Sequence, residues 1–389
     1  MLKELKTEKL PIKLWLDDIE DGALEQAKNL ANHPYAFKHI ALMPDCHQGF
    51  GMPIGGVLAT KEVIIPNAVG VDIGCGMCAV QTNIEEIPRD KLKQILSDIR
   101  MLIPLGFKHH KTQQAEELMP SGYNLDKMPV IRREYDSARR QIGTLGGGNH
   151  FIEIQQSNDN KIWIMVHSGS RNLGKQVADY YNRMAVDLNE KMKSPVPKSV
   201  QLAYLHLDSE QGIQYFNEMN YCVDFALANR KLMMERIVSV FQDHYKASVK
   251  FAPIINIAHN YASKEQHFGR EVIIHRKGAT KADKKTTGII PGSQGTNSYI
   301  VKGKGNKDSF ESCSHGAGRV MGRKEAIRSL DLKKEINYLN EKGIIHSIRN
   351  ANDLEEASSA YKNIDEVMKN QQDLVDVLVE LKPLAVIKG

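Results

Sequence analysis

The chain has 389 residues, 41% hydrophobic and 25% charged, with a net charge of +5 at pH 7. These proportions are ordinary globular usage and exclude a disordered or fibrous protein. The mild basicity permits a polyanionic partner without demanding one. Five cysteines in so long a chain suggest no disulfide framework and fit a reducing, cytoplasmic compartment.

The N-terminal stretch MLKELKTEKLPIKLW is charged and lacks the apolar core of a signal peptide. No run of about 18 apolar residues exists, so no membrane partner is expected. Helical spacing is read over Leu16 to Ala31 and over Arg89 to Ile103. HIALMP, GGVLATKEVIIP and CAVQTN read as buried strands joined by tight Gly/Pro turns. Residues 105–138 are polar and irregular and read as a surface excursion. KIWIMVHSGSR is a strand running into a glycine-bearing turn. Long helical periodicity follows at Asn172 to Met192 and Glu210 to His244, so about 172–246 reads as a helical insert. Strands return between Pro253 and Ser314, in PIINIA, EVIIHRKGA, TGIIPGS and NSYIVKG. Helices are expected near Lys324 to Arg328, Lys333 to Glu341 and Ile364 to Leu381. The end, VLVELKPLAVIKG, is also apolar enough for a buried strand. No repeat, low-complexity tract or linker divides the chain, so one mixed α/β (α+β) domain over 1–389 is expected.

Chemistry-bearing residues recur in settings of glycine and small polar residues. They are Asp72 and Cys75 in VGVDIGCGMC, His150 in GGGNHFIE, His167 in HSGSR, His259 in AHN and His315 in SCSHGAGR. One thiol, one carboxylate and several imidazoles form the donor set of a borderline divalent metal. Glycines beside them let backbone approach a bulky group such as a phosphate. Taken singly, each histidine is as readily structural; the matched surroundings favour ligands. Cys75 and Cys78 form a C-x-x-C, but no second one completes a zinc ribbon. Cys78 therefore reads as core and Cys75 as a ligand. Asn149 offers an amide to a phosphate oxygen, and Glu153 an acceptor for a base edge. Arg171 carries a fork suited to phosphate. His315 sits in backbone able to fold around an anion, with Arg319 and Arg323 nearby. An imidazole nitrogen can attack an α-phosphate if a carboxylate holds the other nitrogen, and Asp45 in MPDCHQG is a candidate. Ser293 and Ser298 in PGSQGTNSY offer hydroxyls to a nucleotide. Neither a Walker A loop nor the K-x-D-G of lysine-nucleophile ligases is present.

From about residue 10 to the end, MPDCHQG, VGVDIGCGM, GTLGGGNHFIE, HSGSR, HNY with KEQHFG, PGSQG, SCSHGAGR and the final VIKG resemble the RtcB family of RNA-splicing and RNA-repair ligases. The resemblance implies a fold of its own, with central β-sheets, a helical insert and flanking helices. It implies a GTP- and Mn²⁺-dependent enzyme that joins RNA 3′-phosphate or 2′,3′-cyclic phosphate ends to 5′-hydroxyl ends, such as tRNA halves or cleaved rRNA. By motif, Asp72, Cys75 and His150 would hold one Mn²⁺, and Cys75, His167 and His259 a second. His315 would carry GMP, oriented by Asp45. Asn149, Glu153, Ser293, Ser298, Gly316, Ala317, Tyr361 and Lys388 would surround the nucleotide, and Arg171 and Arg319 would act at the phosphates. Three positions depart from the family pattern: Cys46 stands where it has an aliphatic residue, Gln294 where it has methionine and Gly322 where it has serine. Two other classes use the same features. One is a binuclear metallo-phosphohydrolase acting on RNA ends without covalent nucleotide. The other is a non-catalytic RNA-binding protein, against which the 6% aromatic content and the lack of a dense basic run count.

Overall fold

Strand alternation sets the architecture. Every residue of Ile162–Ser168 is buried, so the strand is covered on both faces. Ile162, Ile164 and Val166 enter one apolar cluster, and Trp163 and Met165 another, because consecutive side chains leave opposite faces of a strand. The computed structural model describes residues 1–389. It places this strand in a seven-stranded sheet ordered Ile255–Ala258, Gly76–Gln81, Ile162–Ser168, Phe151–Ser157, Val375–Lys388, Ser298–Gly303 and Thr287–Ile290. All adjacent pairs are antiparallel. The first and last strands lie against each other, so the sheet nearly closes. Met77, Trp163, Met165, Ile300 and Leu381 fill its inner face. Its outer face is covered by the helices Arg89–Leu102 and Glu210–Tyr245, through Leu92, Ile95, Ile99, Met233, Ile237 and Phe241.

A second sheet has six strands, Lys3–Leu5, Ile12–Leu14, Ala36–His47, Ile54–Thr60, Arg270–Lys277 and Asn260–His267. Ile40, Leu42 and Leu58 pack against Ala23, Ala27 and Leu30 of the helix Asp21–Ala31. From the opposite face, Ala41, Met43, Val57 and Ala59 pack on Tyr299, Val301 and Val375 outside the closed sheet. Asp45, two residues beyond Met43, therefore emerges at the seam between the sheets.

Most expected elements are present, and the departures have physical causes. The first helix begins at Asp21, since Trp15 and Leu16 are buried against the second sheet instead. The excursion expected over 105–138 holds a helix, Pro129–Gln141, with only Val130, Ile131, Ala138 and Gln141 buried. So narrow an apolar stripe amid charged residues hides the period. The helix expected through Leu381 ends at Lys369, and Val375–Lys388 is an inner strand of the closed sheet. DLVDVLVEL fits both periods, and its β-branched residues and strand partners decide it. Asn260–His267, an edge strand with an exposed, polar face, was not anticipated. Arg171–Lys191 and Glu210–Tyr245 match the two long helices expected. No helix is long and apolar enough to cross a membrane.

Candidate active site

The inner face of the closed sheet ends in polar side chains. His167 continues the alternation of Trp163 and Met165, with Met77 and Phe151 as its strand partners. Cys75 immediately precedes the strand Gly76–Gln81, on a turn after the helix Pro66–Val69. Gly74 has φ +75° there, and a Cβ on it would press 2.9 Å from the backbone of Cys222 and Val223, so the turn requires glycine. It brings Cys75 Sγ within 3.5 Å of His150 Nε2 and 3.3 Å of His167 Nε2. Asp72 Oδ2 lies 3.3 Å from His150 Nε2. The Nδ1 atoms of His150 and His167 meet the carbonyls of Leu145 and Asn149 at 3.0 and 3.1 Å. A carbonyl only accepts, so each Nδ1 carries the hydrogen and each Nε2 lone pair faces the thiol. The His259 ring follows, 5.2 Å from that of His167, and its Nδ1 is buried without a partner.

Two overlapping trios result, Asp72 with Cys75 and His150, and Cys75 with His167 and His259, with Cys75 common to both. Burial, reinforced by neighbouring imidazoles, pushes His167 and His259 well below the usual histidine range. Neutral imidazole is the form a metal takes. Burial and the Asp72 charge push the Cys75 thiol up, and a bound cation reverses that. Fixed tautomers, an orphaned ring nitrogen and a shared thiol fit two divalent ions. Beneath them lies Arg230, which sequence reasoning missed. It is fully buried, donating from Nη1 to the carbonyls of Gly74 and Ser168 at 2.9 and 2.8 Å. Those residues adjoin Cys75 and His167, so one guanidinium ties the two chain segments that carry them. One arginine inside a long helix carries no signal that would have found it.

His315 extends the row of rings, 4.7 Å from His259. Asp45 Oδ2 accepts from its Nδ1 at 2.6 Å and from its backbone N–H at 3.1 Å. Burial opposes ionisation of Asp45, but the charge and hydrogen bonds of His315 outweigh it and hold the carboxyl below its usual value. Lys362, also missed, donates to the carbonyls of Pro44 and Cys46 and pins the backbone on both sides of Asp45.

A cleft opens beside His315, lined among others by Asn149, Phe151, Glu153, Ser293, Gln294, Gly316, Ala317, Glu356, Tyr361 and Lys388. Strand register places Phe151 opposite Lys388 and Glu153 opposite Val386, so the cleft is the polar mouth of the closed sheet. Lys388 Nζ lies 3.7 Å from Glu356 Oε2 and 5.7 Å from the Phe151 ring centre. Glu356, missed as one acid in a polar stretch, is 3% exposed and accepts from Arg319, Arg323 and the Tyr361 hydroxyl. Three expected contacts, Ser298, Arg319 and Arg171, fall outside the lining. Ser298 is buried behind the wall, accepting from Gly292 N–H and Gln155 Nε2. Arg319 directs its fork to Glu356, Tyr361 and the Glu355 carbonyl. Arg171 stands at the metal-ligand end, Nη1 being 3.5 Å from His150 Nδ1.

Burial pushes the Glu153 carboxyl up to about 8, against the Gln155 hydrogen bond and the Lys388 charge. A raised carboxyl adds stability that is complete below its unfolded value, about 4.3, and lost as pH rises through about 8. Glu153→Gln should therefore flatten the fall of melting temperature over that window in ligand-free protein. Equal slopes for variant and parent would show that Glu153 is already ionised.

A sequence model of the family described as tRNA-splicing ligase RtcB matches residues 26–389. The chain belongs to the RtcB family. The RNA-splicing ligase RtcB of Escherichia coli (strain K12) is 38% identical over 412 residues, covering 99% of each chain. The tRNA-splicing ligase RtcB of Thermococcus kodakarensis is 32% identical, covering 99% of this chain and 96% of its own. That of Methanococcus maripaludis is 31% identical, over 97% and 93%. Two of the three departures from the RtcB pattern are accommodated, and the third is only partly paired. Cys46 is buried against the first helix. Gly322 caps the helix Arg323–Ser329 with open space where a Cβ would lie. Gln294 donates to the Glu356 carbonyl at 2.8 Å and leaves its Oε1 buried without a partner.

Proposed function

We propose that this RtcB protein is an RNA ligase that uses GTP and Mn²⁺ to join RNA 3′-phosphate or 2′,3′-cyclic phosphate ends to 5′-hydroxyl ends, by way of GMP carried on His315. One observation carries this reading. In a row of four neighbouring imidazoles, His150 and His167 are held by backbone carbonyls and His259 has a free ring nitrogen. His315 alone is backed by a buried carboxylate. A carboxylate makes the far nitrogen a better nucleophile and compensates the charge that grows on the ring as it attacks. That separates a nucleophile from three ligands.

In the chemistry this implies, His315 Nε2 attacks the α-phosphorus of GTP, forming a P–N bond as the bond to the β-phosphate oxygen breaks and pyrophosphate leaves. Asp45 keeps the hydrogen on Nδ1 throughout. Bound Mn²⁺, held by Asp72, Cys75 and His150 and by Cys75, His167 and His259, supplies positive charge to the phosphate oxygens. Asn149 donates its amide to an α-phosphate oxygen, and Gly316 and Ala317 leave room for it. An oxygen of the RNA 3′-phosphate then attacks the same phosphorus and frees His315, giving RNA(3′)pp(5′)G. The 5′-hydroxyl attacks the RNA phosphorus and GMP leaves. A cyclic end is first opened by water to the 3′-monophosphate. Arg171, next to His150, offsets charge at the RNA phosphate. RNA repair and tRNA splicing draw on the same steps.

Guanine fits the far end of the cleft. Lys388 suits its O6 and N7 acceptors and meets adenine's N6 donor poorly. Glu153 would give up its proton on binding and accept from the guanine N–H groups, while Ser293 and Tyr361 close the wall. Burial lowers the Lys388 pKa and Glu356 opposes this, so the ammonium is held in place by a counter-charge. GTP should be used in preference to ATP, and deleting Lys388 and Gly389 should raise the GTP concentration for half-maximal labelling about tenfold or more. Mn²⁺ affinity should be spared, since no ligand lies there. An unchanged GTP curve for the truncated protein, or equal labelling by ATP, would place the base elsewhere. The reading as a whole is tested by incubating protein with α-labelled GTP and Mn²⁺. A metallo-phosphohydrolase with the same ligands would acquire no label.

A further inference from the structure

One aromatic ring stands in water on a fixed backbone. Phe107 is 97% exposed, more than any other large apolar side chain of the chain. Its surroundings are anchored. Leu145 N–H donates to the Pro104 carbonyl and Gly106 N–H to the Gly146 carbonyl, both at 3.0 Å. Lys108 N–H closes the turn on Leu105 at 3.1 Å, and His110 N–H bonds the Arg140 carbonyl at 3.0 Å. Leu105 packs on the outer cluster of the closed sheet. The fold therefore holds this turn but draws no burial from the ring at its tip.

The flanks of the ring are cationic. Lys108, Lys111 and Arg140 are exposed, and no acidic residue occurs from 105 to 115. The turn also stands against the metal-ligand end of the site. Arg171 Nη2 donates to the Gly106 carbonyl at 3.4 Å, while its Nη1 lies 3.5 Å from His150 Nδ1. Phe107 is not among the residues lining the cleft around Glu153 and Lys388. Gly106 packs beside Gly389, the residue after Lys388, so the turn borders that cleft without lining it.

We propose that Phe107 stacks an unpaired base near an RNA end, with Lys108 and Lys111 on its phosphates, so that the terminus is held at the metal-ligand end of the site. This rests on the reading of the protein as an RNA ligase. Every base has a face to stack on, so the contact suits an enzyme that meets RNA ends of varied sequence. The absence of acids and the excess of lysine match a phosphate backbone. Because the turn is already fixed, little ordering is lost when RNA binds.

The test is binding of fluorescent single-stranded RNAs to the full-length, Mn²⁺-loaded protein without GTP, one RNA ending in a 3′-phosphate and one beginning with a 5′-hydroxyl. Phe107→Ala should weaken at least one of them about tenfold, and the affected RNA identifies the strand. Phe107→Trp should restore binding, whereas Phe107→Leu should not, because stacking needs a flat face. Replacing Lys108 and Lys111 by alanine should reduce the salt dependence of binding by roughly two phosphate contacts. Binding of both RNAs to Phe107→Ala within about twofold of the parent, or full rescue by leucine, would overturn the proposal. Labelling by GTP is read in parallel. A parent protein that loses RNA affinity on Phe107→Ala but never takes up GMP would refute His315 as nucleophile and leave the stacking site standing. Normal labelling with unaltered RNA affinity would refute the stacking site alone.

Discussion

His315→Asn should remove covalent GMP altogether, a loss of more than about 1,000-fold in labelling rate, while the protein stays folded and binds Mn²⁺. Asparagine retains a polar group near the Asp45 carboxylate but has no second ring nitrogen to attack phosphorus. His315 is the only ring of the row whose Nδ1 is held by a carboxylate, and it belongs to neither ligand trio, so metal affinity should change little. Circular dichroism and calorimetric Mn²⁺ titration check the fold and the metal, and gel labelling with GTP checks the chemistry. Acid-labile GMP on the variant would move the nucleophile to another residue. Asp45→Asn should act less completely, slowing labelling without removing the attacking nitrogen, because a neutral amide neither fixes the Nδ1 hydrogen nor compensates the growing charge.

Cys75→Ser and Cys78→Ser should separate sharply although the two thiols are three residues apart. Cys75 belongs to both ligand trios, so its loss strikes both metal positions, and Mn²⁺ affinity should fall by at least about 100-fold. Cys78 faces the outer cluster with Val80, Ile164 and Val166, so serine there buries a hydroxyl without a partner, costing about 1–3 kcal/mol of stability. Its metal titration should resemble the parent's. The expected pattern is therefore an inactive, stable Cys75 variant and an active, less stable Cys78 variant. Equal loss of Mn²⁺ by both would restore the C-x-x-C as a unit.

Most parts of this site that could be read in the sequence share one property. Asp72, Cys75, His150, His167 and His315 lie on or beside glycine-bearing turns, and His259 sits at a strand's end without one; a turn that requires glycine leaves a local mark. Gly74 beside Cys75 and Gly318 beside Asp45 are such cases, since a Cβ at either would overlap backbone. The parts that could not be read act from a distance. Glu356 gathers Arg319 and Arg323 from one stretch, Tyr361 from a second and Lys388 from a third. Arg230 supports two ligand-bearing segments from the middle of a helix. Nothing local distinguishes either from a solvated charge. Arg319 illustrates the converse: its neighbourhood in HGAGR suggests a phosphate, yet its fork is committed to Glu356 and Glu355. At the level of the fold, the strands buried on both faces were legible because they are uniformly apolar. Pro129–Gln141 was obscured by its charged faces, and Val375–Lys388 by a pattern that satisfies two periods.

The central claim is that GMP passes through His315 to an RNA 3′-phosphate. The most direct measurement is a chase: protein labelled with α-labelled GTP and Mn²⁺ is freed of nucleotide, then given RNA ending in a 3′-phosphate and no 5′-hydroxyl partner. The account predicts label on the peptide bearing His315, transfer of that label to the RNA end, and its release as GMP when a 5′-hydroxyl RNA is added. Label that stays on the protein, or ligation that proceeds with none ever attached, would contradict it.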